Sequence, residues 1–381
     1  MTEPVYLDYN ATTPVDKKVL EKMIPFFCES FGNAASVDHI YGLKAKEAVA
    51  KARENISKKL GGQKPNEIIF TSGATESNNM ALVGVFNKYK HKGKHIISSK
   101  IEHPSVLDTL KNLKKAGAEI TLVPVDKYGV IDTKYLEAAI TEETILISIM
   151  FANNEIGTIQ PIQEIGKIAK NKGILFHTDA AQAVGRLRIN VYKLNVDLLS
   201  FCAHKFYGPK GTGGLFICSY SPNVKLSSIM FGGGHERELR SGTLNVPGII
   251  GMSEALVLAN KTLDEENNKL SKLSMKIFKR IQIAYPDVKI NGHPQQKLVH
   301  NSNITIPGIE AKALIHILKD KLAFSTGSAC STIKVKPSHV LKSIGLDDEE
   351  TFQTIRLSFG RYTKEDNIAE VLIGGIKKLK K

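Results

Sequence analysis

Several reactive or charged side chains each stand directly after a short apolar run. His103, Asp179 and Lys205 hold three such positions, and the segment TSGATESNN (71–79) holds a fourth. A lysine amine can attack a carbonyl carbon, and a carboxylate can keep a ring nitrogen protonated. A Gly-containing turn that opens a helix presents free backbone N–H groups, which bind phosphate. These groups act together only if the fold brings them to one place.

The pattern between residues 65 and 218 indicates how they meet. Short apolar, β-branched runs alternate there with amphipathic stretches, which is typical of βαβ units and a mainly parallel sheet. Ligands of open α/β sheets bind beyond the carboxyl ends of the strands, so the residues after each run should share one site. The predicted strands are 67–70, 95–98, 120–125, 145–150, 174–176, 197–201 and 214–218, and a helix is predicted over 161–172.

Taken singly, each position also has a structural interpretation. These are a helix-start histidine at His103, a helix N-cap at Asp179, a plain cap at 71–79, a basic surface turn at His204–Lys205 and turn-stabilising amides at Asn154 and Gln182. Independent turns, however, would have no reason to place all these groups on one sheet edge. Pyridoxal phosphate needs a helix N-terminus, a carboxylate at its pyridine nitrogen, a lysine and donors to its phenolic oxygen. The set therefore predicts a site for this cofactor.

A second, smaller domain is predicted from the C-terminal third of the chain. Residues 259–280 indicate a long charged helix that leads away from the sheet. After it come a strand at 302–306, a helix at 310–322, a loop around Cys330 and a strand at 354–358. We expect a large α/β domain over 15–255 and a small α+β domain that combines 1–14 with 256–381 and carries a mobile Cys330 loop.

Composition and charge narrow the class of protein. Of the 381 residues 42% are hydrophobic, and no apolar run approaches the roughly 20 residues of a membrane span. The start, MTEPVYLDYN, has the features of neither a secretory nor a mitochondrial address, so we expect a cytoplasmic protein without a membrane partner. The net charge of +14 would suit an acidic partner or RNA. Because the lysines are scattered, we favour a solvated Lys-rich surface and expect no direct nucleic-acid contact.

The four cysteines are far apart and form no CxxC pair, so the sequence predicts no metal site. An isolated cysteine is usually a small buried residue. Cys330 differs, because its neighbours in STGSACST (325–332) are too small and polar to pack a core, which leaves the thiol reachable. Cys28, Cys202 and Cys218 lie in apolar runs or at strand ends and are interpreted as structural.

The motifs, taken together, resemble the class V aminotransferase family of pyridoxal-phosphate enzymes, and specifically its IscS/NifS-type cysteine desulfurases. The resemblance covers nearly the whole chain. It implies the fold type I of pyridoxal-phosphate transferases, with a mainly parallel seven-stranded sheet in the large domain. The segments that carry it are YLDYNATTP (6–14), FTSGATESNN (70–79), EH (102–103), NNEIG (153–157), HTDAAQ (177–182), HKFYGPKG (204–211), GGGHERELRSGT (232–243), STGSAC (325–330) and IRLSFGR (355–361).

The resemblance implies individual roles. Lys205 would hold the cofactor as a Schiff base, Asp179 would meet the pyridine nitrogen, and His103 would stack over the ring and act as an acid or base. Cys330 would take the sulfur of L-cysteine as a persulfide, leaving L-alanine. The other implied contacts are Gln182 at the phenolic oxygen, Ala74, Thr75, Cys202 and His204 at the phosphate, Thr243 from the other subunit of a homodimer, and Asn154 and Arg356 at the substrate, Arg356 by binding its carboxylate.

Two features depart from the family's pattern. Cys202 stands where the family usually has Ser or Thr, and a thiol is a weaker donor to phosphate than a hydroxyl. The sequence ends at IKKLKK (376–381), without the longer tail by which some relatives engage an iron–sulfur scaffold. An iron–sulfur scaffold and a tRNA-thiolation protein both remain as sulfur acceptors. Another class V transaminase, a selenocysteine lyase and a non-enzymatic sulfur-relay or RNA-binding adaptor remain as alternative functions.

Overall fold

The computed structural model describes residues 3–326, 336–365 and 367–380, so the predicted carrier Cys330 lies outside the described residues. The strands are β1 (Val5–Tyr6), β2 (Ile68–Thr71), β3 (His95–Ser99), β4 (Glu119–Val123), β5 (Thr144–Ser148), β6 (Leu175–Asp179), β7 (Leu198–Cys202), β8 (Gly213–Ile217), β9 (Lys289–Asn291), β10 (Asn301–Thr305), β11 (Leu322–Ala323) and β12 (Thr354–Ser358). The helices are α1 (Lys17–Met23), α2 (Pro25–Cys28), α3 (Ile40–Leu60), α4 (Ala74–Tyr89), α5 (Pro104–Lys115), α6 (Thr133–Ala138), α7 (Ile162–Lys172), α8 (Val246–Ala284), α9 (Ala311–Leu318), α10 (His339–Ser343), α11 (Asp348–Phe352) and α12 (Ile368–Leu379). Short 3-10 helices cover Pro65–Glu67 and Ala203–Lys205.

A seven-stranded sheet with the order β2-β8-β7-β6-β5-β3-β4 forms the centre of the larger hydrophobic core. The pairs from β7 to β4 are all parallel, whereas β8 runs antiparallel to both of its neighbours. Every residue of β5, β7 and β8 is buried, as expected for strands that are covered on both faces by helices. The predicted mainly parallel α/β fold is confirmed, and each predicted strand overlaps an observed one.

Local sequence explains where the covering helices begin and end. In α7, Pro161 precedes the first turn, and Ile162, Ile165 and Ala169 are buried on one face. Gly173 ends the helix at φ +67°, a backbone conformation that favours glycine. The helix predicted over 161–172 is therefore observed with nearly the same ends.

A second hydrophobic core forms around the small sheet of order β12-β10-β9 and helices α9 and α12. Helix α8 joins both cores, because its residues up to Ala259 pack on the large sheet and those from Leu270 pack in the second core. The helix predicted over 259–280 is thus longer than expected, since its first half is too apolar to stand out as a charged helix. The division of the chain into two domains stays a prediction.

The helix predicted over 310–322 ends earlier than expected, at Leu318. Leu322 and Ala323 form β11 instead, because they pair in parallel with Val5 and Tyr6 of β1. This pairing brings the N-terminal segment beside the second core. Within the described ranges, no helix is long and apolar enough to cross a bilayer, and no group of at least 3 His, Cys, Asp or Glu side chains could hold a metal ion.

Candidate active site

A cavity of about 610 Å³ opens beyond the carboxyl ends of the large sheet. His103, Asp179 and Lys205 all line it, so the fold brings the three predicted groups together. Of the other predicted site residues, those that line the same cavity are Ala74, Thr75, Asn154, Gln182, Cys202, His204 and Arg356. Thr243 is exposed and does not line it within one chain. The positions are observed, whereas the roles of these residues stay predictions.

Asp179 is the last residue of β6, and its carboxylate is held by two donors. The side-chain amide of Asn78 donates to Oδ2 over 2.7 Å, and the backbone N–H of Ala181 donates to Oδ1 over 3.0 Å. Asp179 therefore does support the turn that follows it, as the structural interpretation expected. It also places a carboxylate in the cavity, where it is able to hold a proton on a ring nitrogen.

Lys205 ends the short 3-10 helix that follows β7. Its amine donates to the backbone oxygens of Asn10 and of Ala11, the latter over 2.9 Å. Burial lowers the pKa of Lys205, which makes its neutral amine more available than that of a surface lysine. Gln182 also donates to the Asn10 oxygen, over 3.0 Å. Sequence reasoning quoted this N-terminal segment only as a motif and missed its contact with the lysine.

The first turn of α4 forms the predicted phosphate-binding turn. It follows Gly73, and a side chain at Gly213 on the neighbouring strand would come within 2.6 Å of the Gly73 Cα. Glycine at 213 thus allows the turn to approach the sheet. The backbone N–H of Ala74 points to the Cys202 sulfur, and burial raises the pKa of that thiol to about 11. Cys202 therefore stays protonated at the base of the turn.

His103 and His204 line the cavity as neutral rings. Burial lowers the pKa of His204 to about 4, and its Nδ1 lies 3.2 Å from the Thr12 hydroxyl. Burial also lowers the pKa of His103, whose Nδ1 lies 2.8 Å from the Ser105 hydroxyl. Sequence reasoning missed Ser105 and Asn78, although both stand within or next to the quoted motifs.

Arg356 reaches the cavity from β12, which belongs to the second core. Its guanidinium donates to the backbone oxygen of Asn154 over 2.9 Å and forms an ion pair with Asp8 at 2.7 Å. The Arg356 side chain is almost fully buried. A buried guanidinium in a cavity is a binding group for a carboxylate, because its planar fork presents parallel N–H donors.

The donor set fits pyridoxal phosphate. A helix N-terminus for the phosphate, the Asp179 carboxylate and the Lys205 amine all line one cavity of suitable size. In addition, Asn10 Oδ1 is buried without a hydrogen-bond partner among the described residues, and such an atom is usually satisfied by an ordered water or a bound group. A phosphorylated pyridine with a reactive carbonyl group complements each of these features.

Comparisons with known proteins agree with this geometry. The family described as aminotransferase class-V matches residues 5–371. The protein named cysteine desulfurase IscS of Dechloromonas aromatica is 48% identical over 372 residues, which cover 97% of this chain and 90% of that protein. A solved structure titled NifS-like protein is 39% identical with a TM-score of 0.89 and coverages of 99% and 98%. Another, titled SspA in complex with cysteine, is 36% identical with a TM-score of 0.80 and coverages of 94% and 100%.

Proposed function

The chain belongs to the aminotransferase class-V family and, within it, to the cysteine desulfurases, and from this premise we propose that it converts L-cysteine to L-alanine and carries the sulfur as a persulfide on Cys330. The observation that carries the proposal is the meeting of Lys205, Asp179 and Arg356 with the first turn of α4 around one cavity. Lys205, Asp179 and the N-terminus of α4 complement the cofactor, and Arg356 complements the carboxylate of an amino acid.

Family membership implies a pyridoxal-phosphate cofactor. We propose that Ala74, Thr75 and His204 hold its phosphate, that Asp179 holds its ring nitrogen and that Lys205 binds it covalently. Gln182 would contact its phenolic oxygen, Asn154 would contact both the cofactor and the substrate, and Cys202 would lie next to the phosphate, where the Ala74 backbone N–H meets its sulfur. When bound, the cofactor supplies an electron sink for the electron pair left on the substrate α-carbon.

Different residues of the chain would then bind the substrate, remove its α-proton and accept its sulfur. Arg356 and Asn154 bind and orient the substrate, and Arg356 holds its carboxylate. Lys205 Nζ takes the proton from the α-carbon, which its lowered pKa favours. The thiolate of Cys330 attacks the substrate sulfur, so an S–S bond forms as the C–S bond breaks and its electron pair stays with carbon. Protons then add to the β-carbon, in place of the sulfur, and to the α-carbon, which completes L-alanine.

Assembly, location and sulfur acceptors belong to the same proposal. Exposed apolar side chains near the N-terminus, including Phe27, Phe31 and Ile40, support a homodimer in which Thr243 reaches the phosphate of the neighbouring subunit. Cys28, Cys202 and Cys218 form no disulfide, which suits the reducing cytoplasm. The relatives are named cysteine desulfurases, which supports sulfur delivery to an acceptor protein. We propose an iron–sulfur scaffold as one acceptor and a tRNA-thiolation protein as the second.

The experiment that tests this function measures alanine and sulfide released from L-cysteine by the purified holoenzyme, with and without a reductant. Mass spectrometry after one L-cysteine pulse should find the extra sulfur on the Cys330 peptide and not on the Cys28, Cys202 or Cys218 peptides. In Cys330→Ser, sulfur transfer should stop, because a hydroxyl is not ionised at neutral pH whereas a few per cent of a thiol is. The variant should still bind pyridoxal phosphate and respond spectrally to L-cysteine.

Two outcomes would contradict the proposal. If Cys330→Ser released alanine at the wild-type rate, a lyase without a carrier cysteine, such as a selenocysteine lyase, would be the better function. If the wild-type holoenzyme released no alanine from L-cysteine but exchanged amino groups between amino and keto acids, the chain would be a transaminase.

A further inference from the structure

His103 is one end of a short chain of hydrogen bonds that begins at Asp179. The Asn78 amide nitrogen donates to Asp179 Oδ2 over 2.7 Å and to Ser105 Oγ over 2.8 Å. Ser105 Oγ in turn lies 2.8 Å from His103 Nδ1. Asn78 is fully buried, whereas Ser105 and His103 are partly buried and line the cavity. The carboxylate and the imidazole are therefore connected through two residues that have no assigned role.

The direction of each bond follows from the chemistry of its donor. A carboxylate only accepts, so Asn78 must turn its NH2 group toward Asp179, and its second hydrogen goes to Ser105 Oγ. The Ser105 hydroxyl hydrogen is then left for His103 Nδ1. The Ser105 backbone N–H also donates to Nδ1, over 3.1 Å. A hydrogen on Nδ1 would face this backbone N–H, which cannot turn away as a hydroxyl can, so we place the proton of the neutral ring on Nε2.

Electrostatics around the ring oppose a second proton. His103 is the N-cap of α5, and the positive end of a helix disfavours an imidazolium ion. Burial lowers the pKa of His103. The negative charges of Asp179 and Asp108 raise it, and Lys205 and His339 lower it, with a net decrease. The ring is thus neutral at physiological pH, with its Nδ1 lone pair already engaged.

We propose that Ser105 and Asn78 are positioning residues that hold His103 neutral with its proton on Nε2, so that His103 serves the reaction as a hydrogen-bond donor. The inference rests on the proposed function, because the acceptor would be an electron-rich atom of the bound substrate or cofactor in the cavity that His103 lines. It differs from the role of a base, since Nε2 has no lone pair in this tautomer and cannot take a proton.

The tautomer is tested directly by long-range 1H–15N NMR of the holoenzyme labelled with 15N-histidine, with His103→Gln used to assign the signals. We expect a pyridine-type Nδ1 and a protonated Nε2 throughout the neutral pH range. A protonated Nδ1, or an imidazolium at neutral pH, would overturn the proposal. This readout does not depend on turnover, so it decides the tautomer even if the chain releases no alanine from L-cysteine.

The positioning role is tested by Ser105→Ala with Ser105→Thr as its matched control. The alanine variant loses the hydroxyl donor to Nδ1, so protonation there becomes easier, and the pH at which the His103 NMR signals titrate should move up by roughly half to one pH unit. We expect kcat at neutral pH to fall about three- to tenfold with little change in KM. The threonine variant keeps the hydroxyl and should restore both the NMR signature and its pH dependence.

Two results would remove Ser105 from this role. One is an alanine variant whose histidine spectrum and its pH dependence are those of the wild type. The other is a threonine variant as impaired as the alanine variant at equal folded fraction, because the loss would then follow from packing of the α5 N-terminus and not from the hydroxyl.

Discussion

The amino edge of the seven-stranded sheet is where its parallel strands begin, and the carboxyl edge is where they end. Both hold buried carboxylates, but these have different kinds of partner. At the amino edge, Glu67 accepts hydrogen bonds from the Tyr192 hydroxyl, from the hydroxyl and backbone N–H of Ser219 and from the Gln63 and Lys64 backbone. At the carboxyl edge, Asp179 stands in one cavity with Lys205. The first carboxylate joins loops to each other, whereas the second belongs to a set of groups that complement a ligand.

A shifted carboxylate pKa does not by itself show which of the two edges carries a reactive site. Burial raises the pKa of Asp197 at the amino edge to about 7, a change as large as many active-site groups show. The Asp197 carboxylate, however, accepts a hydrogen bond from the Phe176 backbone N–H over 2.9 Å, which is a structural contact. A reactive site is indicated instead by an amine, a carboxylate, an anion-binding turn and a guanidinium that line one cavity. Four predictions test this contrast.

The largest effect is expected for Lys205→Ala at the carboxyl edge. Turnover of L-cysteine should fall by at least about a thousandfold, because both the covalent anchor and the base at the α-carbon are lost. Borohydride reduction followed by mass spectrometry should find the cofactor on the Lys205 peptide of the wild type and on no peptide of the variant. Retention on another lysine would place the anchor elsewhere.

Asp179→Asn should reduce turnover by about a hundredfold or more, since a neutral amide does not hold the ring nitrogen protonated. The fold should persist, because an asparagine oxygen is still able to accept from Asn78. Thermal unfolding of the two apo forms should therefore differ little. Near-normal turnover would show that Asp179 takes no part in the reaction and is a structural carboxylate like those at the amino edge.

Glu67→Ala should have the opposite profile, with lower stability and unchanged kcat/KM per folded molecule. The substitution leaves the Tyr192 hydroxyl and the backbone donors around it without their acceptor, which should cost about 2–4 kcal/mol of unfolding free energy. Urea unfolding measures the loss. A variant that unfolds normally but turns over slowly would mean that this network acts on the cavity.

The smallest effect on turnover is expected for Asp197→Asn, whose effect on stability depends on pH. The pKa of Asp197 is raised from 3.8 to about 7 in the folded chain, so its contribution to stability is present below about pH 4 and is lost as pH rises toward about 7. Because asparagine does not ionise, the variant should gain stability relative to the wild type over this range, by up to about 4 kcal/mol for a shift of about three pKa units. Urea unfolding at both ends of the range checks the sign, and an advantage that shrinks as pH rises would contradict it.

Much of this contrast could be predicted from the sequence. The alternation of apolar runs predicted the strands of the large sheet, because burial on two faces demands uninterrupted apolar residues. The position of Asp179 and Lys205 directly after such runs placed them at the carboxyl edge. The ends of α8 and α9 were less predictable, because the first half of α8 is as apolar as a strand and β11 forms only by pairing with β1.

The sequence by itself determined the sheet, the identity of the groups at its carboxyl edge and the family, since these depend on local pattern and on motifs. Only the tertiary structure decided which atoms those groups contact. The Asn10 and Ala11 oxygens meet the lysine amine from almost 200 residues away along the chain, at sequence separations of 195 and 194. Arg356 enters from the second core, and Asn78 and Ser105 determine which ring nitrogen of His103 carries its proton. Hydrogen-bond direction depends on where distant segments meet, and no local pattern encodes that.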